Sequence, residues 1–343
     1  MELTERKRLI IGEIVKAHIE TGEPIGSKIL ASRIPNAPST ATLRNEMSEL
    51  CEMGYLEQPH TSAGRLPTPK AYRLYVTELM PKKELAEDKK EIIESMLVDI
   101  KKDPETMGSS AAELLSEITG LPAISVSNTD MGNVLKRVNF LQMGRRAGIV
   151  FLVAADGRTK SRLVGCQSDI DTRLINLFER IAIEKVCNKD IDRLDMAYLQ
   201  SMVVSSGIDA LTLAPLFSCV FEMAKELKMG QINMGGAANI FSLYPTDIQA
   251  RKILDLFSAR EVVNNILSGT TLPIEVVFGD DTEYAALKPT GMVVASYGNS
   301  NNYGKIAVIG PTRMSYDSIL PSVEYVASRV GQMMTEVLKG LEE

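Results

Sequence analysis

The residues whose types and spacing suggest chemistry lie between Ser39 and Arg65. Leu43, Met47 and Leu50 fall at i, i+4 and i+7, which predicts one buried stripe of a helix running from Ser39, its N-cap, to about Met53. At roughly 100° per residue, the opposite face carries Ala41, Asn45, Ser48 and Glu52, flanked by Arg44 and Thr42, with Thr40 at the start. Small and hydroxylic side chains let a helix tip come close to a double helix. Arginine matches guanine O6 and N7, and asparagine matches adenine N6 and N7, in the major groove. A solvated face is the competing reading, and on this helix alone the two weigh evenly.

The neighbouring segments decide between them. Thr4 is placed to cap a first helix in which Leu9 or Ile10, Ile14, Val15, His18 and Ile19 recur at helical spacing, and Gly22 ends it. Pro24 and Gly26 mark a turn, Ser27 caps a short helix over Lys28–Arg33, and Ile34–Pro38 is a second turn. After the third helix, Tyr55–Gln58 reads as a strand, Pro59–Arg65 as a turn-rich tip and Leu66–Thr68 as the returning strand. Thr68 then caps a helix with Pro69 in its first position, running to about Leu79. Three helices, a hairpin and a departing helix are the order of a winged helix-turn-helix. On its tip, His60, Thr61, Ser62 and Arg65 are the groups able to donate to phosphates or to reach a minor groove. The run Thr61–Arg73 contains Arg65, Lys70 and Arg73 and no acidic residue, a local positive patch.

The chain has 343 residues and a formal net charge of −6. That length predicts more than one domain. The acidity resides beyond residue 80, since residues 1–80 hold ten Lys/Arg and ten Asp/Glu. No apolar run reaches the roughly 18–20 residues of a membrane span, and the N-terminus lacks the pattern of a secretion signal. Cys51, Cys166, Cys187 and Cys219 lack metal-like spacing, which suits reduced thiols and a cytoplasmic location. His18 and His60 are the two histidines, and no nucleophile-elbow, zinc-protease or paired-carboxylate motif is present, so neither catalysis nor a cofactor is expected. His18 reads as a packed side chain on an apolar helix face.

A charged helical stretch over Lys82–Asp103 precedes strand-like runs at Ala123–Ser127, Val134–Met143, Gly148–Ala155 and Arg162–Cys166. Helical patterns dominate from Thr172 to about Lys228, Gly235-Gly236 reads as a turn, and strands return at Ile274–Phe278, Met292–Tyr297 and Ile306–Ile309 before a closing helix. Strands, helices, strands and a last helix predict an α+β multidomain chain whose sheet is interrupted by an insertion.

The sequence resembles the heat-inducible transcription repressor family HrcA. The resemblance is carried by IETGEPIGSK at Ile19–Lys28, ATLRNEMSEL at Ala41–Leu50, GYLEQPHTSAGRLPT at Gly54–Thr68, QINMGGAANIF at Gln231–Phe241 and KIAVIGPTRMSYDSI at Lys305–Ile319. It implies a repressor of chaperone operons that binds double-stranded DNA at an inverted repeat as a homodimer. Such a repressor is inactivated by heat shock and regains activity with a GroE-type chaperonin. It also implies a GAF-like α+β domain with an inserted dimerisation domain. The expected organisation is a winged helix-turn-helix over 1–80, connecting helices over 81–120, a GAF-like domain over 121–171 and 272–343, and an inserted dimerisation domain over 172–271. The alternative is a regulator that senses a small ligand through the GAF-like domain.

Overall fold

A computed structural model describes residues 3–342 apart from 61–62, 101–102, 128–133, 156, 195–196, 199–200, 203–209, 229–231, 245 and 299–303. The chain begins with α1 (Glu5–Thr21), α2 (Ser27–Arg33) and α3 (Thr40–Glu52), followed by the two-residue strands β1 (Leu56–Glu57) and β2 (Leu66–Pro67) and by α4 (Pro69–Leu74). The predicted caps form at both ends of α1: Thr4 Oγ1 accepts from the Lys7 N–H, and Gly22 closes the helix at φ 72°, a left-handed conformation that costs glycine little. Ile10, Ile14, Leu30, Leu43, Leu50 and Leu56 are buried together, so the three helices share one apolar core with the first strand. Ion pairs fasten their polar sides, Arg6 to Glu46, Lys7 to Glu49, and Arg33 through two 2.8 Å bonds to Glu20.

Thr68 is the residue before α4, but its hydroxyl does not cap that helix. It donates instead to the Gly54 and Tyr55 carbonyls, at 2.8 and 3.0 Å, and so ties the hairpin to the end of α3. After Leu74 the helix widens into a π turn over Tyr75–Leu79. Then come α5 (Glu87–Val98) and α6 (Pro104–Thr119). The expected role of 81–120 as connecting helices needs correction for α6. It lies on the main sheet, where Gly235 meets the Ala112 carbonyl so closely that a Cβ has no room.

That sheet has five antiparallel strands. With β3 (Ala123–Ser127), β7 (Ile232–Gly235), β8 (Ile274–Phe278), β9 (Thr290–Tyr297) and β10 (Gly304–Pro311), the order is β7-β3-β10-β9-β8. The two central strands are buried on both faces, which explains their nearly continuous apolar runs. Val293, Ala295, Ile306 and Val308 face α6 and the closing helix Tyr316–Glu342. Met292, Val294, Ala307 and Ile309 face the helices Asp247–Ser258 and Arg260–Ser268. The core of the N-terminal helices is continuous with the first of these layers.

The strands β4 (Leu135–Gln142), β5 (Ala147–Ala154) and β6 (Thr159–Gly165) form a separate three-stranded sheet. One of its faces packs on α7 (Thr172–Lys185) and α8 (Ala210–Lys228), with Val138, Phe140, Val150 and Leu152 against Phe178, Phe217 and Val220. This corrects two expectations. Strands between 135 and 165 do not join the 272–343 sheet, and helices between 247 and 268 do not belong with α7 and α8. The extra module runs from about 134 to 228, between β3 and β7, which are hydrogen-bonded neighbours. Alternating strands look alike in a sequence whichever sheet they join, so the pattern alone does not sort them. Gly235, read with Gly236 as a turn, instead ends the strand β7, which has no alternation of its own and pairs along the edge of β3. Only Gly236, just beyond it, has a positive φ, of 61°.

The four cysteines are free thiols. Burial pushes Cys166, Cys187 and Cys219 above the usual thiol range. Among the described residues no helix is long and apolar enough to cross a membrane.

Candidate nucleic-acid interface

The first turns of α3 present the residues singled out in the sequence. The Ser39 hydroxyl accepts from the Thr42 N–H at 3.1 Å and shares a 2.9 Å hydrogen bond with the Thr42 hydroxyl. This cap starts the helix while Ser39, Thr40 and Ala41 remain exposed. Arg44 and Asn45 are exposed one turn further on, and Ser48 is half-buried behind them. Neither the Arg44 guanidinium nor the Asn45 amide has a side-chain partner among the described residues. The buried side of the helix holds Leu43, Met47 and Leu50 as predicted, together with Glu46, whose Oε1 accepts from the Arg6 guanidinium. Donors and acceptors are therefore available on one face, and the other face is fixed in place.

The returning side of the hairpin is anchored by an unexpected bridge to the turn between α1 and α2. Arg65 exchanges backbone hydrogen bonds with Ile25, at 2.8 and 2.9 Å, so the turn between α1 and α2 acts as a third short strand. The approach requires glycine at 64, where a Cβ would sit 2.5 Å from the Ile25 carbonyl carbon. His60 is exposed at the tip, and Gln58 donates across the turn to the Ala63 carbonyl. The Arg65 side chain is half-buried, with Nη1 3.5 Å from the Ala63 carbonyl and Nε buried without a partner among the described residues. Thr61 and Ser62, the other tip residues chosen from the sequence, lie outside the described residues.

The positive patch of the sequence separates in three dimensions. Arg65 stays with the tip. Lys70 turns back to donate to the Met53 carbonyl at 2.9 Å and lies 4.3 Å from the centre of the Tyr55 ring. Arg73 points at the main sheet, pairing with Asp281 and lying over the Phe278 ring. Spacing along the chain gave no warning, because the residues that receive Arg73 lie more than 200 positions away.

The same contact joins the N-terminal unit to the sheet. Tyr72 packs against Phe278 and Tyr316, with ring centres 6.5 and 6.3 Å apart, and shares a 2.7 Å hydrogen bond with His18 Nδ1. Burial, assisted by the Arg313 charge, holds the His18 imidazole below its usual range, while burial raises Tyr72 well above its own. Lys83 adds an exposed ion pair to Asp317 at 2.8 Å. Sequence reasoning identified His18 as packed but not what it packs against.

A second surface also escaped the sequence reading. On the three-stranded sheet, the face turned away from α7 and α8 carries an apolar patch, with Leu163 67 %, Met143 63 %, Leu141 52 % and Phe151 38 % exposed. Ile149 sits between Leu141 and Leu163 in the register. The signal was β5 itself, AGIVFLVA, which is apolar at every position and so marks a strand with two apolar faces.

The family profile described as HrcA protein C terminal domain matches residues 105–320. The heat-inducible transcription repressor HrcA of Clostridioides difficile (strain 630) is 31 % identical over 339 residues, covering 95 % of this chain and 98 % of that protein. The repressor of the same name from Acetivibrio thermocellus is 27 % identical over 345 residues, covering 98 % of each. A crystal structure of a hypothetical protein superposes with a TM-score of 0.60 at 20 % identity, covering 98 % of this chain and 100 % of that one, which shows a shared fold.

Proposed function

The chain belongs to the HrcA family, and from that premise we propose that it is a heat-inducible transcription repressor that binds an inverted-repeat operator of double-stranded DNA as a homodimer. In this reading residues 1–80 are a winged helix-turn-helix. The start of α3 enters the major groove, Arg44 and Asn45 read base edges, and Ser39, Thr40, Ala41, Thr42 and Ser48 shape the approach. His60, Thr61, Ser62 and Arg65 touch the backbone or the minor groove beside it. The observation that carries the reading is the exposed, unpaired state of Arg44 and Asn45 on a helix whose other face is anchored. Base readout requires side chains with that freedom.

What supports the dimer is the three-stranded sheet. Helices cover one of its faces, and the other carries Leu141, Ile149 and Leu163 in one row across the strands, with Phe151 two positions further along β5. A second copy of the same face is its simplest cover, because a two-fold axis joins like surfaces. The five-stranded sheet with helices on both faces is the GAF-like domain, and the module between β3 and β7 is the inserted dimerisation domain.

Heat inactivation fits the small margin that separates folded from unfolded protein. A chaperonin of the GroE type then restores the repressor by rescuing an aggregation-prone refolding step. Transcription in vitro from a promoter carrying the inverted repeat tests the proposal. It is expected to be repressed at growth temperature, released after heating and repressed again once chaperonin is added. Transcription indifferent to the protein at both temperatures, with chaperonin present, counts against it.

A further inference from the structure

The apolar stripe of α3 fixes the depth of the helix more firmly than its roll. Leu43, Met47 and Leu50 are buried in the core of the N-terminal helices, and apolar attraction has no preferred direction. At roughly 100° per residue, Glu46 and Glu49 follow on one flank of that stripe, Arg44 lies on the other, and Asn45 is on the outer face. Directional contacts hold the first flank. The Arg6 guanidinium reaches Glu46 Oε1 through Nε at 2.8 Å and Nη2 at 2.7 Å, and Lys7 Nζ lies 2.7 Å from Glu49 Oε2. Both basic residues belong to the first turn of α1.

The geometry of the Arg6–Glu46 pair is a poor one for stability. Glu46 is only 8 % exposed, and both contacts from Arg6 end on the same oxygen. Its Oε2 is buried without a partner among the described residues. A buried carboxylate with one oxygen unsatisfied recovers little of its desolvation penalty, and apolar side chains of similar size often serve stability as well or better. What the pair supplies is direction. A roll of about 10° moves a side-chain tip by about 1 Å at the radius of roughly 5–6 Å that a helix has with its side chains. Base-edge hydrogen bonds span only about 2.7–3.2 Å, so such a roll breaks a bidentate contact from Arg44 or Asn45.

We infer that Glu46, held by Arg6, is a positioning residue for base reading: it sets the roll of α3, and with it the aim of Arg44 and Asn45, without touching DNA. Lys7 and Glu49 brace the same flank three positions further on. The inference rests on the DNA-binding reading above and adds a residue to which that reading gives no role.

The test separates base preference from stability. The wild-type chain, with GroE-type chaperonin present, selects duplexes from a random pool, and affinity is then measured on the selected duplex and on a shuffled one. Arg6→Met combined with Glu46→Met removes one charge of each sign, so the non-specific attraction to DNA is kept. This double variant is expected to melt no lower than the wild type and to bind the shuffled duplex unchanged. Its preference for the selected duplex falls by at least about tenfold. Glu20→Gln, which weakens the Arg33 pair between α1 and α2, is the control and keeps the wild-type preference.

A double variant that keeps full discrimination overturns the inference. So does an equal loss on both duplexes, or lost discrimination accompanied by a lower melting temperature, which assigns the pair to stability. A control that loses as much preference as the double variant overturns it too. A wild-type chain that selects no sequence overturns the DNA-binding reading and the inference with it, a result distinct from the others because it precedes any variant.

Discussion

The His18 imidazole and the Tyr72 hydroxyl meet at 2.7 Å, linking α1 to α4 where the N-terminal helices rest on the main sheet. Tyr72 also packs on Phe278 and Tyr316, so this hydrogen bond is the polar element of an aromatic joint built from three distant parts of the chain. The joint makes the stability of the N-terminal unit depend on pH.

Burial first, and the Arg313 charge second, lower the His18 pKa from its ordinary 6.5, while Glu23 opposes them. The neutral imidazole is therefore the form that the folded chain prefers, and the unfolded chain takes up the proton first. Stability is undiminished above about pH 6.5 and falls as pH drops from there through the lowered folded value. His18→Gln keeps a polar partner for Tyr72 without the titration. Thermal melting followed from pH 7.5 to about 5 is expected to show a drop for the wild type that the variant lacks. Equal slopes remove His18 as the cause.

Gly64→Ala places a Cβ against the Ile25 backbone, which has no flexible side chain to move aside. The hairpin must shift and the Ile25–Arg65 bridge must lengthen. Overpacking of this kind costs about 1–3 kcal/mol, read by chemical denaturation against the wild type. A change within experimental error means the hairpin adapts without loss.

Leu163→Asp sets a charge on β6, at one side of the apolar patch, where the residue is 67 % exposed in the single chain. A monomer that keeps its fold is the expected product, measured by sedimentation and circular dichroism. A variant that remains a dimer moves the interface elsewhere.

Arg65→Ala removes a charge from the hairpin tip. If that charge meets a phosphate, affinity falls alike on operator and on unrelated duplex, and the slope of log K against log salt drops by about one. An unchanged slope leaves Arg65 with the structural role already visible in its backbone bridge to Ile25.

The sequence was most legible where local rules decide the structure. Ser39 caps α3, Gly22 ends α1, and the stripe Leu43, Met47, Leu50 is buried, because capping and helical periodicity act over a few residues. It was least legible where partners are remote. Nothing near Arg73 announces Asp281, and nothing in the strands of 135–165 says that they avoid β9 and β10. β7 depends wholly on β3. Of the proposed contact residues, Arg44 and Asn45 were found from helix geometry, whereas the apolar sheet face needed the register of three strands.

The measurement closest to the central claim is a mobility-shift titration of the wild type, Arg44→Ala and Asn45→Ala at one salt concentration. The duplexes are the proposed inverted-repeat operator, a half-site and a scrambled sequence. Tight binding of the wild type to the full repeat and weak binding to the half-site are expected. Each substitution is expected to cost about 1–3 kcal/mol on the repeat and little on the scrambled duplex. Losses equal on all three duplexes, or wild-type binding that ignores sequence with chaperonin present, contradict base reading by α3.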